Sequence, residues 1–301
     1  MMLASISALW GGLLLAVLSG SNPVGLPISH SNLVVGGTHT YASQVGDSLA
    51  RVGARFGMDV AALAELNGLN PNARLEVGQE LFIKNHHLVP TTLDDGIIIN
   101  IPQRMLFHFK DGRLQSAFPA GLGRRTWPTR QGDFEVLEKE TDKTWIVPLS
   151  IQREMLRKGL PVKEKVPPGP DNPLGRHWIR ISETDGIHGT NAPASIYKFQ
   201  THGCIRLWPE HIANLYQQVP IGTPVRIIYE PVLLARLNDG NYYLEVHPDV
   251  YHKAGDPTSA VRQLASAAGA DSVIDWQIVL KVIRERRGLA ENVTLPAAGT
   301  P

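Results

Sequence analysis

The stretch IHGTNAPASIYKFQTHGCIRLWPEHI, residues 187–212, holds the single cysteine of a 301-residue chain. Cys204 follows His202 and Gly203 and precedes Ile205 and Arg206, and a second His-Gly pair, His188 and Gly189, stands upstream. An inert cysteine behaves as a small buried hydrophobe among apolar neighbours. This one has polar neighbours. A reactive cysteine works as its thiolate, which calls for a base within hydrogen-bond reach and a third group to orient that base. The separation of His188 from Cys204 leaves room for a strand end, a loop and a return to the same rim. Gly189 and Gly203 permit close backbone approach there, and Gly203 leaves the Cys204 amide free to stabilise an oxyanion. A zinc site built from His188, His202, Cys204 and His211 is the weaker alternative, because His-x-Cys lacks the paired spacing of structural zinc sites. Neither a metal nor a cofactor is expected.

Around this stretch the chain reads as strands and turns. GIIINIPQRMLFHFKDGRLQSAFPAGLG (96–123) gives two strands, a KDG turn and a third strand, and WPTRQGDFEVLEKE (127–140) adds another turn and strand. Residues 150–178, with five prolines, read as one long loop, and loops of that length are functional or disordered. LWPEHIANLYQQV (207–219) is a short helix opened by Pro209, and GTPVRIIYEP (222–231) is a closing strand. The expected catalytic unit is therefore a mainly β sandwich or barrel over 96–230, with a short helix after the cysteine.

Two further units flank it. THTYASQVGDSLARVGARFGMDVAALAELNGLNPNARLEVGQELFI (38–83) has Asp47 or Ser48 placed to cap a helix whose Leu49, Val52 and Phe56 share one face. Gly57 ends that helix, a second runs to Leu66 before Asn67 and Gly68, and a strand closes a β-α-α-β unit over 38–84. KNHHLVPTTLDD (84–95) reads as a linker. Residues 231–288 give a hairpin with an NDGN turn and two helices, an α/β appendage, and 289–301 read as a disordered tail.

Charged residues are 19% of the chain and the net charge is +1, so no basic footprint for nucleic acid exists. The first twenty residues carry no charge, and the apolar run Leu9 to Leu18 is short for a bilayer span of about 20 residues. Residues 1–21 read as a signal peptide or an uncleaved N-terminal anchor; in both readings the bulk is exported, where a lone cysteine has no internal disulfide partner.

The segments GDSL, FGMDVAALAELNGL and LEVGQELFI resemble a LysM domain, which binds glycans containing N-acetylglucosamine. That resemblance implies sugar contacts at Gly46, Asp47, Asn67 and Leu69. HGTNAPASIYKFQTHGCIRL resembles the active-site signature of the YkuD/ErfK-type L,D-transpeptidases, PTRQGDF resembles their Thr-Pro-x-Gly-x-Phe turn with one extra residue, and PPGPDNPLG resembles the loop before the histidine strand. The resemblance implies Cys204 as nucleophile and His188 as general base, its ring held by the Gly189 carbonyl. It implies an oxyanion site at the Gly203 and Cys204 amides. Substrate contacts are expected at Arg206, His202, Thr201 and Thr190. Arg206 has two readings, a partner for a substrate carboxylate or a clip on backbone carbonyls; His202 would shape the pocket or tune the thiolate.

The implied reaction releases D-alanine from a peptidoglycan tetrapeptide stem and passes the acyl group to an amine, giving a 3–3 cross-link or lipoprotein attachment in the periplasm. A hydrolase acting on the same bonds and a non-catalytic wall-binding protein are the alternatives. On a short linker the glycan-binding unit would tether the catalytic unit to its polymer, raising local substrate concentration without adding a contact at the active site.

Overall fold

A computed structural model describes residues 30–296; the proposed signal or anchor at 1–21 lies outside them. The N-terminal unit contains β1 (Val34–Val35), β2 (Thr38–Ala42), α1 (Leu49–Phe56), α2 (Val60–Leu66), β3 (Glu80–Lys84) and β4 (His87–Leu88). Ser48 caps α1 by accepting from the Arg51 amide, and Gly57 ends it at φ +71°, a left-handed value that glycine adopts without strain. Leu49, Val52, Leu63, Leu81 and Ile83 close a small core under the β2–β3 pair.

The central unit contains β5 (Gly96–Asn100), β6 (Met105–Lys110), β7 (Arg113–Gly123), β8 (Gly132–Glu135), β9 (Glu138–Thr141), β10 (Trp145–Ile146), α3 (Leu149–Arg157), β11 (Lys165–Val166), β12 (His177–Arg180), β13 (Gly186–His188), β14 (Phe199–Thr201), β15 (Ile205–Leu207), α4 (Pro209–Gln218) and β16 (Pro224–Ile228). One curled ten-stranded mixed sheet runs β8-β16-β5-β6-β7-β15-β13-β12-β9, with β14 beside β7. β5 is an apolar run because both of its faces are covered. Ile97 and Ile99 join the core under α4 with Ile187, Ile205 and Leu215, whereas Ile98 packs on the other face with Phe107, Phe109 and Tyr197.

That second face overturns the linker expected at 84–95. Val89 is fully buried against Ile98 and Phe107. His87 and Leu88 form β4, pair with β1, and are buried too. The N-terminal unit is therefore not held on a free linker: α1 packs against β7 and against the turn at Pro193–Ser195 of the central unit. The expected 150–178 loop differs as well. Its first part is helix α3, between the short strands of a β10–β11 pair. Proline masks this from sequence because it clusters after the helix, from 161 onward.

The C-terminal unit holds β17 (Val232–Arg236), β18 (Tyr242–Val246), α5 (Pro257–Ala267), α6 (Trp276–Glu285) and β19 (Glu291–Asn292). Asp256 and Asp275 cap its helices. The disordered tail expected from 289 does not hold over the described residues: β19 pairs with β18, Val293 is fully buried, and its carbonyl accepts the Asp275 amide at 2.7 Å.

Candidate active site

The β12–β13 hairpin places Trp178 opposite His188, and their rings stack at 5.6 Å. β13 then lies parallel to β15 with His188 beside Arg206. Cys204 immediately precedes β15, so strand alternation puts its side chain on the face that carries Arg206 and His188. The 16-residue separation in sequence is thus one crossover between neighbouring parallel strands. Its path bends at the 3₁₀ turn Pro193–Ser195 and passes through Ile196 and Tyr197, both buried.

His188 is buried, and its Nδ1 donates to the Gly189 carbonyl at 2.6 Å. That bond fixes the proton on Nδ1 and leaves Nε2 as the free base. Burial, with the Arg206 charge, lowers the His188 pKa to about 3 against the Gly189 and Leu174 carbonyls. Burial likewise pushes the half-buried Cys204 thiol up to about 11, with Asp185 acting in the same direction and the Gly186 amide and Arg206 opposing it. The thiol points toward the Thr184 carbonyl at 3.9 Å. The resting pair is a neutral thiol and a neutral imidazole.

A reactivity profile follows from these two pKa values. A raised thiol pKa leaves little thiolate at neutral pH, and the fraction grows about tenfold per pH unit below that pKa. The rate of Cys204 alkylation by iodoacetamide is expected to climb continuously from pH 7 to pH 10. A plateau reached below pH 8, the signature of a preformed thiolate–imidazolium pair, would contradict the neutral resting state.

The remaining candidates separate into free and occupied groups. Arg206 is half-buried, donates only a long 3.4 Å bond to Ser195 Oγ, and has no carboxylate partner among the described residues; its Nε is unpaired. The clip on backbone carbonyls is not formed. The Gly203 amide, expected as an oxyanion donor, is taken by Thr201 Oγ1 at 3.2 Å, whereas the Cys204 amide has no partner among the described residues. Thr201 also donates to the Cys204 carbonyl at 2.6 Å, and Thr190 Oγ1 accepts the Ala192 amide. Both threonines are buried parts of the loop, not open substrate contacts. His202 turns toward α3: it donates to Glu154 at 2.7 Å and packs edge-on against Trp127. In the N-terminal unit Asp47 accepts from Tyr41 and the Gln44 amide, Asn67 holds both sides of Phe82 in β3, and Leu69 packs on the core. Gly46, exposed at φ +82°, is the one of those four left open.

Several residues gave no signal in sequence. Gly186 is required because a Cβ there would lie 2.6 Å from the Trp178 ring that stacks on His188. Thr129 Oγ1 donates to the Gly203 carbonyl at 2.8 Å while accepting the Gly123 amide. Tyr251, from the segment after β18, donates to the Gly123 carbonyl and accepts the Thr129 amide, so the appendage reaches the loop that carries Cys204. Glu154, the one buried residue of α3, is gripped by Arg124, Lys158 and His202, which hold its carboxyl well below the usual range. Only hydrogen-bonding partners far apart in sequence reveal these roles. Among the described residues no cluster of three or more His, Cys, Asp or Glu side chains is arranged to hold a metal ion.

Comparison with known proteins supplies the chemical context. The family description "L,D-transpeptidase catalytic domain" (YkuD) matches residues 94–227, and a LysM domain matches residues 44–84. A Salmonella typhimurium protein named "Probable L,D-transpeptidase ErfK/SrfK" is 30% identical over 257 residues, covering 82% of this chain and 82% of its own length. "Probable L,D-transpeptidase YbiS" of Escherichia coli is 32% identical over 250 residues, with 78% and 80% covered. The crystal structure of L,D-transpeptidase 3 from Mycobacterium tuberculosis is 20% identical, covering 49% of this chain and 66% of its own, with a TM-score of 0.36.

Proposed function

The chain belongs to the YkuD-type L,D-transpeptidases and is a peptidoglycan L,D-transpeptidase; from that premise we propose that Cys204 is its nucleophile and His188 its general base. The observation that carries the assignment is the Nδ1 bond from His188 to Gly189, which leaves Nε2 the basic nitrogen on a strand that runs beside the one Cys204 leads into.

Cys204 Sγ attacks the carbonyl of the third stem residue as His188 Nε2 takes the thiol proton. The oxyanion forms against the free Cys204 amide, and such a donor contributes about 3–4 kcal/mol in acyl-transfer enzymes. Collapse breaks the bond to D-alanine, whose amine leaves with the proton from His188. An amine of a neighbouring stem then attacks the thioester, His188 removes its proton, and the thiol is regenerated with a 3–3 cross-link formed. A lipoprotein lysine amine would resolve the thioester by the same steps, giving an amide and the free thiol. Arg206, a half-buried cation with no carboxylate partner among the described residues, suits a stem-peptide carboxylate. The segment from β10 to β11 serves as a lid that keeps water from the thioester: α3 is fixed beside His202 through Glu154, while its Leu149 and Leu156 remain exposed. The protein is cell-wall-associated, and export to the periplasm through residues 1–21 completes the reading.

Intact-protein mass spectrometry with purified disaccharide-tetrapeptide tests this. A mass increase on Cys204 with release of D-alanine, followed by a 3–3 dimer, is the expected result. Free tripeptide without dimer would make the enzyme a hydrolase. Folded protein that gives neither adduct nor D-alanine would overturn the assignment.

A further inference from the structure

We infer that the LysM unit is a positioning element of the active site, holding through Asp59, Arg104 and the face of α1 the crossover that joins His188 to Cys204. The inference rests on the assignment of those two residues. Arg104, in the β5–β6 turn, is buried at 6% exposure and takes a left-handed φ of +56°. Its guanidinium makes a bidentate pair with Asp59, the N-cap of α2, at 2.8 and 3.0 Å. The same Nη1 donates to the Tyr197 carbonyl at 3.0 Å, and the guanidinium lies over the Tyr197 ring at 3.8 Å. Tyr197 is itself in the left-handed region at φ +57°, where a non-glycine residue is held only by its surroundings.

A second contact lies one turn away. Ala54 of α1 packs with Ile196 and Trp208, which stand on either side of the nucleophile, and Arg55 and Arg51 lie over the Trp208 ring at 4.8 and 5.5 Å. Next to Ile196, Ser195 touches Arg206, and the Ser195 carbonyl presses so closely on Gly121 that a Cβ there would come within 2.8 Å. The crossover thus has the catalytic pair at its ends and LysM residues at its middle. A flexible tether would bury neither Arg104 nor Ala54. The consequence is that losing the LysM contact harms catalysis on a soluble substrate that offers no polymer to bind.

The test measures turnover of soluble disaccharide-tetrapeptide by the full chain carrying Asp59→Asn, with Asp59→Glu as the charge-restoring variant. Ala54→Leu reaches the crossover by steric pressure, independently of the ion pair. Glu65→Gln, which breaks an exposed LysM pair with Arg287, is the control. Protein is confirmed folded at the assay temperature by circular dichroism. Asp59→Asn and Ala54→Leu are expected to lower kcat about tenfold with KM within about twofold of wild type, Asp59→Glu to recover part of it, and Glu65→Gln to match wild type. Lower melting temperatures with unchanged kcat per folded molecule would reduce the LysM contact to stability alone and overturn the inference. Turnover by Cys204→Ala would instead sink the nucleophile assignment, and the positioning role with it.

Discussion

Cys204→Ala will form no acyl-enzyme and no product, and His188→Gln, which keeps the thiol, will lose about 10³-fold in kcat, within the range expected for a general base. The size of the second effect comes from the resting charge state. With its thiol pushed up to about 11 by burial, Cys204 holds almost no thiolate near neutrality, so attack depends on proton transfer to His188 as the bond forms. Glutamine can accept no proton in the transition state. The sign of the pH dependence then distinguishes base loss from misfolding. In His188→Gln the thiolate must come from solution ionisation, and kcat/KM will rise about tenfold per pH unit toward the thiol pKa. Wild type, served by a neutral imidazole whose pKa lies near 3, has no such dependence between pH 5 and 8. Because the two residues act in one step, the double variant will be no worse than Cys204→Ala. Residual activity of His188→Gln that ignores pH would show that another group takes the proton.

That Cys204 and His188 come together was legible in local residue types: a lone cysteine among polar neighbours, two His-Gly pairs and a crossover's length between them. The β-α-α-β unit was legible for similar reasons, since Ser48, Gly57 and the apolar spacing of α1 act within one helix. What sequence obscured is set by partners far away along the chain. His202 looked like a pocket residue until Glu154, 48 positions earlier, took its Nε2. Thr201 looked like a substrate contact, yet its hydroxyl closes the turn around Gly203 and Cys204. Arg206 had two readings, and nothing local says that among the described residues its guanidinium will bond no backbone carbonyl, only Ser195 Oγ at 3.4 Å. The segment 84–95 looked like a linker because polar His86 and His87 precede a proline and two threonines; nothing local says that His87 will meet a carboxylate in the appendage.

That carboxylate is where the largest loss of stability is expected. Glu245 of β18 is fully buried and accepts four hydrogen bonds. Its Oε1 accepts from His87 Nδ1 at 2.9 Å, His247 Nε2 at 2.8 Å and Gln103 Nε2 at 3.1 Å, and its Oε2 accepts the Leu88 amide at 2.6 Å. His87 donates its other nitrogen to the Gly57 carbonyl at the end of α1, so one carboxylate binds the appendage, the β4 segment, the central sheet and, through His87, the LysM unit. Glu245→Gln preserves shape but replaces an anionic acceptor with an amide whose NH₂ would face donors. Breaking a buried charged network by changing one member costs about 3–5 kcal/mol. Burial acts to raise the Glu245 pKa, but the His87 and His247 contacts overcome it and bring the group from 4.5 down to about 2. A depressed carboxylate pKa contributes stability above the unfolded value that is lost as pH falls through the folded one. The difference between wild type and Glu245→Gln, read from urea midpoints, will therefore be full at pH 7 and shrink between pH 4.5 and pH 2. Calorimetry adds a sharper reading. With the shared carboxylate intact the three units should melt together, and in Glu245→Gln the appendage should melt ahead of the ten-stranded sheet. A single transition displaced by less than about 1 kcal/mol would mean that apolar packing around Leu88, Leu233 and Ala290, and not this carboxylate, holds the units to one another.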